Sequence, residues 1–187
     1  MKLKGKNIAI LATNGFEASE LFSPLDAVKK EGAEVHIISE SLGEIKSWED
    51  GNWGKTINVD KTLQDANESD YHTVILPGGV INPDTLRAND KALSFIQAFF
   101  KSGKPVAAIC HAPWLLISAG VIENREVTSY HTIKDDVINA GAKWVDQEVV
   151  VDSGLTTSRN PNDLPAFIEK VIEELCEGKH EDQVVNA

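Results

Sequence analysis

Cys110 and His111 are the residues best placed to do chemistry. They close the run Pro105-Val106-Ala107-Ala108-Ile109-Cys110-His111-Ala112-Pro113-Trp114. Residues 105–109 are short, apolar and β-friendly, and a helical pattern (Leu115, Leu116, Ile117) follows at once and stops at Gly120. A strand that turns straight into a helix with a nucleophile at the joint is the layout of a nucleophile elbow. Such a turn is tight, so the residues two before and two after the nucleophile must be small, and they are Ala108 and Ala112. At a helix start, unpaired N–H groups and the helix dipole favour an anion, which would lower a thiol from its ordinary pKa of about 8.5. The same segment also fits a buried structural cysteine in a parallel strand. The segment alone does not choose between them.

The elements that must position this thiol follow from the apolar pattern. Residues 8–11, 35–38, 73–76 and 105–109 read as buried parallel strands. Residues 126–129 read as a further short strand. Residues 148–151 and 155–158 flank Ser153-Gly154 and read as a hairpin. Helices are expected over 17–30, with Pro24 forcing a late start or a kink, over 89–102 with Asn89 as cap and Gly103 as stop, over 132–140, and over 162–177 with its apolar residues on one face. Cys176 is placed on that apolar face and expected to be inert. Residues 41–59 read as an irregular excursion with a hairpin at Asp50-Gly51, and its Trp48 and Trp53 are candidates to line a partner subunit. Residues 177–187 are polar and expected to fray. Alternating strands and helices mean a parallel sheet covered on both faces. Loops at the carboxyl ends of such strands carry the site. Three of these loops are chemically unusual: 13–17, 77–84 and 110–114.

The totals bound the function. The 187 residues are enough for one domain with a sizeable core, read as spanning 1–187 with a polar tail from about 178. A net charge of −11 argues against nucleic-acid and membrane partners. No apolar stretch approaches the roughly 20 residues of a membrane span. Two distant cysteines make no disulfide framework, which fits a reducing, cytoplasmic setting. The five histidines, His36, His72, His111, His131 and His180, show no metal-ligand spacing. No Gly-rich phosphate-binding pattern is present, and no cofactor is expected.

Several ordered motifs then make the chain recognisable: Gly15-Phe16-Glu17, Leu76-Pro77-Gly78-Gly79 with Pro83-Asp84, Ala108-Ile109-Cys110-His111, Thr128-Ser129-Tyr130, Glu148-Val149-Val150-Val151-Asp152 and Thr157-Ser158-Arg159. From about residue 6 to 175 the chain resembles the ThiJ/PfpI family, the PfpI-type peptidase and protein deglycase branch of the class-I glutamine amidotransferase-like superfamily. The resemblance implies a flavodoxin-like three-layer α/β/α sandwich with a mostly parallel sheet and a nucleophile elbow.

The resemblance also implies roles. Cys110 is the nucleophile, and the backbone N–H groups of Gly79 and His111 form the oxyanion hole. Glu17 lies against the thiol, where it must be protonated or share its proton, since a carboxylate would repel a thiolate. The other reading of Glu17 is a helix-start glutamate favoured by the dipole. His111 joins a triad whose acid, at Asp84, comes from a neighbouring subunit, so the protein is expected to be a homo-oligomer. The other reading of Asp84 is a helix cap. Tyr130 lines the pocket, while His131 reads as a turn residue. Arg159 matches a position near the site or interface, or makes an ordinary surface pair. The usual Cys-His-Gly-Pro-Gln run is here Cys-His-Ala-Pro-Trp, so Trp114 faces either the pocket, narrowing it, or the core.

The implied function is a cysteine hydrolase of the PfpI type, acting on peptides or on adducts of aldehydes such as methylglyoxal, in a stress response. The alternative is a non-enzymatic redox-sensing or chaperone-like protein that uses an oxidisable Cys110. Glutamine hydrolysis is excluded, because its downstream His and Glu pair is missing and the only late histidine, His180, lies in the polar tail.

Overall fold

The computed structural model describes residues 1–183. Its strands are β1 (Asn7–Leu11), β2 (Phe16–Glu17), β3 (Glu34–Ser39), β4 (Gly43–Glu49), β5 (Asn52–Val59), β6 (Lys61–Thr62), β7 (Thr73–Leu76), β8 (Val106–Ile109), β9 (Glu126–Val127), β10 (Lys143–Trp144), β11 (Val149–Asp152) and β12 (Leu155–Ser158). The helices are α1 (Ala18–Lys30), α2 (Ile81–Leu86), α3 (Asp90–Lys101), α4 (Pro113–Ser118), α5 (Lys134–Asn139) and α6 (Leu164–Glu177). Seven strands form the central sheet in the order β11-β12-β8-β7-β1-β3-β6. All its pairings are parallel except β11 against β12.

Side chains alternate across a strand, so a sheet buried on both faces needs apolar residues at every position. In β1, Ala9 and Leu11 enter one core with Phe95 and Phe99 of α3, Leu115 of α4 and Val137 of α5. Ile8 and Ile10 enter the other with Leu21 and Val28 of α1 and Phe167 and Val171 of α6. The result is the expected sandwich, with β8 and its Cys110 end near the centre of the sheet.

Local signals hold where the chemistry is local. The Asn89 side chain accepts from the N–H groups of Lys91 and Ala92 to cap α3. The excursion over 41–59 is an ordered β4–β5 hairpin. Asp50 (φ 49°) and Gly51 (φ 77°) are both left-handed, as a two-residue hairpin turn of this hand requires. Trp48 and Trp53 pair across it edge to face, with centroids 5.4 Å apart.

Four expectations are corrected. α1 does not start late: it begins at Ala18, and Pro24 is buried within it. The strand expected over 126–129 stops at Val127, because the Thr128 N–H bonds to the Thr157 hydroxyl, and β9 pairs instead with β10 outside the main sheet. Cys176 is exposed and not on the apolar face. The tail does not fray through its described part. The His180 N–H donates to the Gly103 carbonyl at 2.7 Å, the Arg125 guanidinium donates to the Gln183 carbonyl at 2.9 Å, and Gln183 is fully buried. Residues 184–187 lie outside the described residues.

Candidate active site

The elbow is real and strained. Cys110 has φ +66°, a left-handed conformation that a non-glycine residue holds at a cost of order 1–3 kcal/mol. The surrounding backbone pins it there. The Cys110 N–H donates to the Ser158 carbonyl at the end of β12, and the Cys110 carbonyl accepts from the Tyr130 N–H. Ala108 and Ala112 are fully buried beside it, and Pro113 opens α4 where its missing N–H matters least.

The loop after β7 closes over the thiol. A Cβ on Gly78 would lie 2.6 Å from the Cys110 Cβ and 2.5 Å from a carboxyl oxygen of Glu20, so only glycine permits this approach. Asn82, fully buried, ties the loops together. It accepts from the Thr13 N–H and donates to the carbonyls of Pro77 and Gly78. The N–H groups of Gly79 and His111 both address the Cys110 sulfur. The two amides expected to act as oxyanion donors are therefore brought together at Cys110.

The glutamate against the thiol is Glu20, not Glu17. Glu17 is the N-cap of α1: its carboxylate accepts from the Glu20 N–H at 2.9 Å and from the Ser19 hydroxyl at 2.5 Å. That geometry turns it back onto its own helix, which is the helix-start role. Three residues on, Glu20 is fully buried, accepts from the Gly78 N–H at 2.8 Å through Oε2 and reaches the Cys110 side chain. Its Oε1 is buried with no hydrogen-bond partner. Burial above all, then the charge of Glu17, pushes the Glu20 carboxyl up to about 8. The sequence offered one signal for it: Glu20 falls in the first turn of α1, where a side chain can face back to the strand ends.

The thiol does not behave as the helix dipole alone suggests. Burial, and next the charge of Glu20, push the Cys110 thiol up, while the amides of Gly79 and His111 pull the other way. Cys110 is only 6 % exposed, and α4 is too short to overcome that desolvation. A neutral Glu20 removes the repulsion and leaves the amide contacts.

His111 faces the thiol after all. Its Nδ1 lies 3.1 Å from the Cys110 sulfur, and its Nε2 lies 3.3 Å from the Thr132 hydroxyl, a partner that sequence reasoning missed. The ring stacks on Tyr130 at 4.8 Å and meets the edge of Trp114 at 5.1 Å. Burial, then the nearby His131, lowers its pKa, so it is neutral at pH 7. Trp114 serves both readings: it packs against one core and forms a wall beside His111, with its indole N–H on Asp136 at 2.8 Å and Arg87 over its ring.

Asp84 is not brought to His111, and neither partner of the imidazole nitrogens is a carboxylate. It sits exposed in the first turn of α2 and does not cap that helix, whose N-cap is Val80. Arg159 makes an ion pair, bidentate to Asp163 and at 2.8 Å to Asp146. It lines a cleft of about 280 Å³ with Ser129, His131 and Trp144. A larger cleft, of about 900 Å³, lies at Glu40, Thr62 and Asn89 and holds none of the groups around Cys110. Away from this site the fold brings together three groups able to ligate an ion, although the sequence shows no metal-ligand spacing. Glu174, Glu177 and His180 bring one ligand atom each within 4.8 Å of one another, since Gly178 (φ 94°) turns the chain back behind α6.

The chain is similar to known proteins in both sequence and structure. The sequence profile described as the DJ-1/PfpI family matches residues 6–174. The chain is 44% identical over 165 residues to the Pyrococcus furiosus protein named Deglycase PfpI, covering 88% of this chain and 96% of that one. It is 45% identical over 163 residues to Protein/nucleic acid deglycase 2 of Escherichia coli, covering 87% and 93%. Among solved structures it superimposes on Drosophila melanogaster DJ-1beta with a TM-score of 0.83, at 27% identity, covering 96% and 93%.

Proposed function

Since the chain belongs to the DJ-1/PfpI family, we propose that it is a cysteine-dependent deglycase that removes methylglyoxal-derived adducts from amines, with Cys110 as nucleophile. The observation that carries this reading is the 3.1 Å contact between the Cys110 sulfur and His111 Nδ1, with two backbone amides on the same sulfur. A neutral imidazole takes the thiol proton as the sulfur attacks. The adduct R–NH–CH(OH)–CO–CH3 then loses its amine, which receives that proton back from His111. The carbon bound to sulfur becomes a thiohemiacetal.

Its hydrogen next moves as a proton to the neighbouring ketone carbon, giving a thioester, and water cleaves this to lactate. One carbon is oxidised and its neighbour reduced, so no redox cofactor is needed. The Gly79 and His111 amides hold the oxyanion, each worth about 3 kcal/mol. Glu20, with a pKa of about 8, gains and loses a proton near neutral pH and lies against the reacting sulfur.

The reading includes a second copy of the chain. His111 Nε2 has a hydroxyl rather than a carboxylate, and Asp84 is exposed, free to reach a neighbour. Such an acid would hold the imidazolium that forms during attack.

The test is release of free amine and lactate from a preformed methylglyoxal adduct of N-acetyl-lysine, after free methylglyoxal is removed. Wild type should release both, and Cys110→Ala neither. Equal release by the variant sinks the proposal. Peptide cleavage without lactate would assign the peptidase chemistry instead. Selective peroxide oxidation of Cys110 without turnover of either substrate would assign the redox role.

A further inference from the structure

A second cluster lies where the tail meets α6, and the deglycase reading does not use it. We propose that Glu174, Glu177 and His180 form a binding site for a divalent transition-metal ion that fastens the C-terminal tail to the body of the protein.

The backbone builds the site before any ion arrives. Glu174 and Glu177 are three residues apart on α6 and share a face. Gly178 reverses the chain, and the His180 N–H is held by the Gly103 carbonyl at 2.7 Å. The imidazole is thus placed by an anchor of its own. The Gly154 turn leaves room for it: a Cβ there would lie 2.7 Å from the His180 ring.

The side chains point to a missing ligand. Glu174 is only 5 % exposed, and its Oε2 lies 3.0 Å from His180 Nε2. The two are not aligned as a hydrogen bond, and each is buried with no hydrogen-bonding partner. Buried polar atoms left unsatisfied in this way are rare and costly. Metal–ligand bonds of about 2.0–2.2 Å place neighbouring ligand atoms roughly 3.0–3.5 Å apart, and the Glu174–His180 pair, at 3.0 Å, has that separation. Glu177, exposed, supplies the third ligand atom within 4.8 Å of both.

The chemistry selects the ion. One imidazole with two carboxylates suits Zn²⁺ and its neighbours better than Ca²⁺ or Mg²⁺, and three protein ligands leave a position for water. The C-terminus of α6 is the negative end of its dipole and favours a cation. Lys170, one turn back, is bound to Glu173 at 2.7 Å. The site lies by the amino ends of β8 and β12, beside Gly103 and Gly154, whereas Cys110 follows the carboxyl end of β8. An ion there acts on tail docking and stability, not on the thiol.

The test uses the full chain, stripped with a chelator and titrated with Zn²⁺ and, separately, Co²⁺. One equivalent should bind, raise Tm and slow proteolysis of the tail. Bound Co²⁺ should show d–d bands without a thiolate charge-transfer band. Glu177→Gln, at an exposed position, should weaken binding at least tenfold while leaving the metal-free Tm unchanged, and His180→Ala should abolish it. No binding, a thiolate band that puts Cys110 or Cys176 on the metal, or undiminished affinity in Glu177→Gln overturns the proposal. So does a Tm insensitive to Zn²⁺.

Discussion

Glu20 and Cys110 share one enclosure at the end of the sheet. Burial raises the carboxyl to about 8, and the charge of Glu20 adds to the burial that raises the thiol. Two anions side by side in that space repel, so with the carboxyl near 8 and the thiol pushed up, both groups keep their protons near neutral pH. A neutral carboxyl is also the form able to donate to a thiolate. Replacing it with Gln keeps a donor but removes the exchangeable proton. We expect Glu20→Gln to lower kcat about 100-fold or more, within the range of general acid–base catalysis. Glu17→Ala should change kcat only a few-fold and lower stability by about 1 kcal/mol through loss of the cap on α1. Steady-state rates and chemical denaturation of both variants check the ranking, and the opposite order would return the catalytic role to Glu17.

The same pair makes stability depend on pH. The folded carboxyl of Glu20 lies near 8, against an ordinary 4.5. The folded state therefore keeps a proton that the unfolded chain gives up. That contribution is complete below about pH 4.5 and is lost as pH rises to about 8, with a size on the order of a few kcal/mol. Glu174, raised by burial, adds in the same direction. Tm measured from pH 5 to 9 should fall across this window in wild type, and Glu20→Gln should flatten the curve. An unchanged slope in the variant would show that Glu20 is ionised in the folded protein.

Gly78 is the position where one methyl group should do most harm. The added Cβ meets Cys110, Glu20 and the Ile109 carbonyl, at 2.6, 2.5 and 2.7 Å. None of these can retreat without moving the elbow. Gly78→Ala should lower stability by about 1–3 kcal/mol, as overpacking does, and reduce kcat at least tenfold. Alanine at Gly120, where nothing lies within 4 Å, should meet only backbone strain and spare the rate. Parallel kinetics on the two variants separate the effects.

The docked tail makes a prediction about length. Arg125 is 9 % exposed and donates to the carbonyls of Asp152 and Gln183, while Gln183 also donates to the Lys104 carbonyl. A chain ending at Lys179 leaves a buried guanidinium short of a partner, at about 1–3 kcal/mol. Its Tm should drop by several degrees with kcat nearly unchanged. An unaltered Tm would mean that the tail contributes nothing to the fold.

Much of this protein is legible in the order of its residues because much of it is local. The apolar runs at 8–11, 73–76 and 105–109 read as doubly buried strands, Asn89 as a cap, Asp50-Gly51 as a left-handed turn, and Ala108-Ile109-Cys110-His111-Ala112 as an elbow. Each depends on neighbours within a few positions, and each forms. What tertiary structure decided depends on direction and on distant contacts. Glu17 and Glu20 lie at the start of one helix, and only the cap geometry and the approach of Gly78, 58 residues on from Glu20, determine which of them meets the thiol. Thr132 reaches His111 from 21 residues away. The tail is polar and would fray in isolation, yet Gly103, Lys104 and Arg125 wait for it with unpaired backbone and side-chain groups. Side-chain direction at a helix end, and the pairing of polar groups far apart in the chain, are set only once the whole fold has closed around them.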